Sequence, residues 1–198
     1  MLIYSFFCAM KNIIIFASGS GSNAEIIINH FKNSTFAKVV AIFTNKPNAG
    51  VIQRAKKHGI PSEVFSKDNF QDEKLLDLIK KYNPDLIVLA GFLLKVPDYL
   101  IKNFPNKIVN IHPALLPDYG GKGMYGLNVH KAVFENKEKF SGMTIHYVNE
   151  NYDEGNIIFQ ENTDISDCIS PEEVALKVLS LEHKNYSVVI EKVLRLFD

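Results

Sequence analysis

Apolar residues along the chain gather in short continuous runs, separated by segments that carry a helical stripe. Ile13-Ile14-Ile15-Phe16-Ala17 is largely β-branched and ends at a glycine-serine segment, the pattern of a strand buried on both faces. Ile26, Ile27, Ile28 and Phe31 then suit a helix over 24–31 laid against a sheet. A second buried strand is predicted over 39–43, followed by turn chemistry at Asn45-Lys46-Pro47-Asn48-Ala49-Gly50. The segment 51–58 reads as a helix stopped by Gly59, with Pro61 beyond it, and 62–65 as a short third strand. Leu75, Leu76, Leu78, Ile79 and Tyr82 predict a helix over 73–82. The run 85–90 is the clearest central strand. A short helix over 98–104 and a strand over 108–111 complete an alternation of strand and helix. That order argues for an α/β fold: a doubly wound, mostly parallel sheet with helices on both faces.

The pattern changes in the second half. A helix is expected over 128–135, and Met143-Thr144-Ile145-His146-Tyr147-Val148 then alternates. The next strand, over 156–161, follows too soon for a helical crossover, so antiparallel strands are expected in the C-terminal half. From Glu172 one long helix runs on, with Ser170 as N-cap and Pro171 in its first turn. No repeat or linker divides 10–198, which reads as a single domain. The apolar segment 1–9 lacks the charged start of a signal peptide and precedes a second methionine, Met10. It reads as an upstream extension, poorly tied down.

Composition narrows the function. A chain of 198 residues, 46% hydrophobic, suffices for one compact domain. Lys+Arg and Asp+Glu both number 22, so the broad basic field of a nucleic-acid binder is missing. Cys8 and Cys168 form no C-x-x-C pair, which argues against a zinc ribbon or a redox dithiol. No apolar run approaches the ~20 residues of a membrane span. The expectation is a cytoplasmic protein whose partners are small-molecule substrates, with no nucleic acid and no membrane. The fold serves equally as a monomer or a homodimer.

Three segments carry candidate chemistry. Ser18-Gly19-Ser20-Gly21-Ser22-Asn23 joins the first strand to the first helix. There Gly21, Ser22 and Asn23 would offer backbone and side-chain donors to a phosphate at a helix N-terminus. The loop is no Walker motif. It also lacks the third glycine of a dinucleotide fingerprint, and no acidic residue ends the second strand, so a monophosphate fits better and a nicotinamide-dependent oxidoreductase is disfavoured. Asn110 and His112 lie two apart at the carboxyl end of a predicted parallel strand and point the same way, at the edge where open α/β sheets bind ligands. The polar loop Asn149-Glu150-Asn151-Tyr152-Asp153-Glu154-Gly155 offers carboxylates, one of which could hold the histidine and raise its pKa. Read alone, it is equally an ordinary acidic surface loop.

With these segments together, the chain resembles the folate-dependent phosphoribosylglycinamide formyltransferase family. The matching residues are Gly19-Ser20-Gly21-Ser22-Asn23, Leu89-Ala90-Gly91-Phe92, Asn110-Ile111-His112-Pro113, Leu115-Leu116-Pro117, Asp153-x-Gly155, Ile157-Ile158-x-Gln160 and Leu181-Glu182-His183. The resemblance covers 10 to about 196. It implies direct formyl transfer from 10-formyltetrahydrofolate to the amine of 5-phosphoribosylglycinamide, a step of purine synthesis, without a metal. By that resemblance His112 is the proton donor, Asp153 holds it and Asn110 binds the formyl oxygen. Gly21, Ser22, Asn23 and Glu182 take the nucleotide. The folate lies against Leu93, Leu94, Lys95 and Val96, with Asn110 and the loop residues Asn149, Glu150, Asn151, Tyr152 and Asp153.

Three departures from the family pattern stand out. Leu94 replaces a frequent arginine, which would lose a folate contact or move it to Lys95. No arginine matches the folate-contacting one expected before the 73–82 helix. The run Gly120-Gly121-Lys122-Gly123-Met124-Tyr125-Gly126 is longer and richer in glycine than usual. It reads as a mobile surface loop, or as a cover for the nucleotide with Lys122 near the phosphate. His130 and His146 read as packing or supporting residues. Other readings are a 10-formyltetrahydrofolate hydrolase or a non-catalytic nucleotide- or folate-binding module. A methionyl-tRNA formyltransferase would need a further RNA-contacting domain and a different first loop.

Overall fold

The computed structural model describes residues 9–197. The expected N-terminal extension therefore lies outside the described residues, except for an exposed Ala9. The chain alternates β1 (Lys11–Phe16), α1 (Ser22–Phe31), β2 (Ala37–Thr44), α2 (Gly50–Lys57) and β3 (Ser62–Val64). It continues through α3 (Lys67–Gln71), α4 (Lys74–Lys81), β4 (Leu86–Leu89), α5 (Asp98–Asn103) and β5 (Ile108–His112). Then come α6 (Leu127–Glu135), β6 (Phe140–Tyr147), β7 (Ile157–Asp164) and α7 (Pro171–Arg195). All seven strands join one sheet in the order β3-β2-β1-β4-β5-β6-β7. The β1–β5 strands are parallel, whereas β6 and β7 add antiparallel, as the short connection required. The order of addition reverses between β1 and β4, so the loops leaving these strands diverge and open a crevice at their carboxyl ends.

The isoleucine run of β1 is apolar throughout because both faces are covered. Ile13 and Ile15 pack with Ile27 and Phe31 of α1 and with α7, whereas Ile14 and Phe16 meet Phe43, Phe70, Ile79 and Leu100 on the opposite face. On α7, Ser170 Oγ accepts the Glu173 N–H at the expected N-cap, and Pro171 opens the helix. Buried Tyr186 crosses the layer: its hydroxyl donates to Leu89 O at 2.8 Å, fastening α7 beneath the end of β4.

Two local features lie beyond the sequence pattern. The predicted 73–82 helix is preceded by a separate turn, α3, which Ser66 caps through Asn69 N–H and which buries Phe70. A single buried aromatic on five residues leaves no periodicity to detect. In β6 the alternation does not mark a wet face, because residues 141–146 are all buried. Met143 and Ile145 enter the core on the α7 side. Thr144 instead bonds the segment after β5: its hydroxyl donates to Ala114 O at 2.7 Å and accepts Leu116 N–H at 3.0 Å.

Candidate active site

At the crevice lies a cavity of about 810 Å³, within the range of small-molecule sites. Its floor is the end of β5 and its antiparallel partner. Asn110 is directly opposite His146, and His112 opposite Thr144, so all four side chains share one face of the sheet. Asp153 comes from the β6–β7 connection, with positive φ at 56°. That loop turns on Gly155, where a Cβ would lie 1.7 Å from Tyr147 O.

The four polar residues form one network. His112 is 3% exposed; its Nδ1 lies 3.6 Å from Asp153 Oδ2, and its Nε2–H donates to Tyr119 O at 2.8 Å, since a carbonyl only accepts. Both ring nitrogens thus face acceptors, the arrangement that suits an imidazolium. Burial opposes this and prevails: it pulls the His112 pKa below its ordinary value, while Asp153 and the Tyr119 carbonyl push it up and His146 adds to the lowering. The expected rise is therefore corrected to a net fall, because desolvation outweighs the carboxylate. Asp153 is likewise raised by burial. The neighbouring His146, the charge of His112 and the Gly121 N–H together outweigh that and hold its carboxyl below the usual range.

His146 connects the other members. Its Nδ1–H donates to Tyr147 O at 2.9 Å, leaving Nε2 to accept an N–H of Asn110 at 3.1 Å. The same Nε2 is 3.6 Å from Asp153 Oδ1. Asn110 retains a second amide N–H beyond this contact. The supporting role expected of His146 becomes specific here: it touches two of the candidate catalytic residues. Thr144 and Gln160 act one layer further out, where Gln160 Nε2 donates to both Leu116 O and Thr144 Oγ1 at 2.8 Å. A threonine in an alternating strand carries no signal of such a task. The Tyr119 backbone carbonyl carries none at all.

At the other end, the wall contains Gly19, Asn23 and Glu182. Gly21 precedes α1 with φ 77°, and no side chain caps the helix, so its first N–H groups lack an intrahelical partner. A Cβ on Gly21 would come within 2.6 Å of Val51, so only glycine permits α1 and α2 to meet there. One of the two Asn23 side-chain N–H donors is already taken. It is committed to Glu182 Oε2 at 2.7 Å, leaving buried Asn23 Oδ1 without a partner. Burial pushes Glu182 up to about 7, with the Asn23 bond acting in the opposite direction.

The mouth has a mainly apolar side and a polar one. Leu93, Leu94, Lys95 and Val96 line it from the β4 side, facing Asn149, Asn151, Tyr152 and Asp153. The Lys95 ammonium stands 5.8 Å from the centre of the Tyr152 ring. Glu150, expected in the same set, is exposed and does not contribute to the wall. The glycine-rich segment borders the cavity through Gly121, Lys122, Gly123, Met124, Tyr125 and Gly126. His130 of α6 also lines it, buried and pushed down to about 4 by burial, with His112 adding to the effect.

The chain that folds into this sheet, with a His–Asp–His–Asn network at its switch-point crevice, matches a known family across nearly its full length. The formyl transferase model covers residues 11–190, and the chain belongs to that family. A Bacillus subtilis (strain 168) phosphoribosylglycinamide formyltransferase is 34% identical over 94% of this chain and 96% of its own. A chloroplastic enzyme of the same name from Arabidopsis thaliana is 43% identical over 91% of the chain. The chain spans 64% of that plant protein and 60% of its Vigna unguiculata counterpart. Among solved structures, the phosphoribosylglycinamide formyltransferase of Bacillus halodurans superposes with a TM-score of 0.84 at 35% identity, covering 93% of this chain and 95% of that one. No helix among the described residues is long and apolar enough to cross a membrane.

Proposed function

We propose that the chain transfers a formyl group from 10-formyltetrahydrofolate to the amine of 5-phosphoribosylglycinamide, in the cytoplasm and in the synthesis of purine nucleotides. The observation that carries this reading is that one cavity is bordered by two polar groups of residues and an apolar wall. The Asn110–His112–His146–Asp153 network, the Leu93–Val96 wall and, through Asn23 and Glu182, the surroundings of the uncapped start of α1 all border this cavity. A pteridine fits the mouth against Leu93, Leu94, Lys95 and Val96, which present a mainly apolar wall. A phosphate fits the Gly21–Asn23 turn through free N–H groups and the helix dipole. Glu182 and Asn23 are left to meet the sugar and glycinamide.

The nucleotide amine attacks the formyl carbon, and the carbonyl π pair moves to oxygen to give a tetrahedral intermediate. The uncommitted Asn110 N–H is placed to bind that oxygen. Such donors are worth roughly 3 kcal/mol each when preorganised. Collapse then returns the electron pair, breaks the bond to the folate nitrogen and requires a proton there, while the new amide gives one up. His112, with Asp153 behind it, is the group to shuttle that proton, and positioned acid–base help contributes roughly 10²–10⁴ in rate. Because Nε2–H is committed to the Tyr119 carbonyl, delivery requires this carbonyl to withdraw. Gly120, Gly121 and Gly123 beside it supply the backbone freedom.

An absorbance assay of 10-formyltetrahydrofolate, with and without the nucleotide, tests the proposal. Folate product that depends on the nucleotide supports it. Product without the nucleotide identifies a hydrolase, and folded protein giving no product under either condition identifies a binding module.

A further inference from the structure

We propose that Arg54, on α2 and outside the cavity wall, is a positioning residue for the phosphate turn: by holding the Ser20 carbonyl it sets how well α1 accepts the nucleotide's phosphate monoester. The inference rests on the reading of 18–23 as the phosphate end and adds a residue to it. Three successive loop residues rest on α2. Gly19 O accepts Val51 N–H at 3.2 Å, and Gly21 abuts Val51 so closely that no Cβ fits. Between them Ser20 O accepts Arg54 Nε–H at 2.8 Å. Of these three contacts only the Ser20 one is a hydrogen bond from a side chain, so it alone is removable without moving the backbone.

Arg54 has a second task at the same place. Its guanidinium pairs with Glu25, which stands in the first turn of α1. A carboxylate there competes with an incoming phosphate for the helix N-terminus and repels it. Lys57 Nζ at 3.2 Å and His58 Nε2 at 3.6 Å approach the other Glu25 oxygen. Arg54 thus draws the competing anion aside while bracing the turn. Its charge also reaches α7: His183, next to Glu182 in the chain, is lowered first by burial and then by Arg54. A half-exposed ion pair of this kind adds little to folding stability, so a purely structural role would leave substrate constants unmoved.

The test compares Arg54→Met and Arg54→Lys with the parent protein in steady-state kinetics, with inorganic phosphate as competitor against the nucleotide. In Arg54→Met the nucleotide KM and the phosphate inhibition constant should both rise about tenfold, the scale of one charge-assisted hydrogen bond, with kcat within about twofold and the folate KM unchanged. Arg54→Lys, which reaches only one of the two acceptors, should fall between. An unchanged nucleotide KM in Arg54→Met, or parallel changes in kcat and both KM values, overturns the inference. If Arg54→Met loses cooperative melting, Arg54→Lys decides: a nucleotide KM equal to that of the parent refutes the role. An inactive parent protein would instead remove the proposed function on which the inference rests.

Discussion

Replacing Glu182 by Gln should make the protein more stable, and only above mildly acidic pH. Glu182 is buried with one hydrogen-bond partner, the Asn23 amide, and its pKa is raised from 4.5 to about 7. In the unfolded chain the group ionises near 4.5, so between 4.5 and 7 the folded state holds a proton that the unfolded state has lost. Its contribution is full below pH 4.5 and is lost as pH rises through 7. That displacement is worth about 3 kcal/mol on the usual conversion. Glutamine keeps an oxygen for the Asn23 N–H but never ionises. The difference in unfolding free energy between Glu182→Gln and the parent should thus be near zero at pH 4.5 and grow to about 3 kcal/mol by pH 8. Urea unfolding at a series of pH values measures it. A difference that is constant across the series would refute the reasoning, because packing alone does not titrate. The same substitution should raise the nucleotide KM, making this carboxylate a group kept at a cost in stability.

Other expectations follow from single contacts. His130, held at about 4 by burial, is neutral in the fold while the unfolded histidine charges near 6.5. Stability should fall as pH drops from 6.5 to 4, by up to about 3 kcal/mol, and His130→Gln should flatten that limb of the melting profile. Asp153→Asn and His112→Ala should each lower kcat by roughly 10²–10⁴ while nucleotide binding, followed by calorimetry, stays near that of the parent; near-normal turnover in either variant would remove its assigned role. Gly155→Ala places a Cβ 1.7 Å from Tyr147 O, so the β6–β7 loop must shift. It should destabilise by about 2 kcal/mol or more and lower kcat through Asp153; a parent-like melting temperature would contradict the contact.

The parallel half of the sheet was legible because its strands are buried on both faces and so appear as unbroken apolar runs, as in Ile13–Ala17. The long α7 helix was legible because Ser170 and Pro171 mark its start and a stripe runs its length. Burial of β6 was not legible, since Thr144 and His146 look like a solvent face until the segment after β5 is laid over them. Asn110 and His112 were readable as a pair from period-two geometry on one strand. Their coupling to Asp153 and His146 depends on antiparallel register, which a single chain's spacing leaves open. The direction of the His112 shift was lost for a related reason. The sequence displays the carboxylate that raises it, whereas the desolvation that outweighs it arises only once residues far apart in the chain close over the ring.

Several residues that break the ordinary rules of burial line one cavity, while buried His58 Nε2, Ser141 Oγ and His183 Nε2 lack hydrogen-bond partners outside its wall. Buried Glu182 has a single partner, and Asn23 Oδ1 and His130 Nδ1 have none. His112 is kept off its ordinary pKa by burial while a carboxylate stands 3.6 Å away. A fold selected for stability alone would replace such groups with apolar ones of similar size. Elsewhere the core does so, with isoleucine, phenylalanine and leucine filling both layers. Those that line the switch-point crevice describe what a ligand there must bring. A hydrogen-bond donor is needed for Asn23 Oδ1 and a basic or hydroxylic group for Glu182. An acceptor is needed for the α1 N–H groups, and a developing negative charge for Asn110 and His112. A phosphorylated sugar carrying an amine meets the first three, and a formyl group under attack meets the last. Under the proposed function the nucleotide would meet the Asn23–Glu182 part of the wall and the formyl group the His112 network, which is why substitutions at Glu182 and Arg54 should act on the nucleotide constants and those at His112 and Asp153 on turnover.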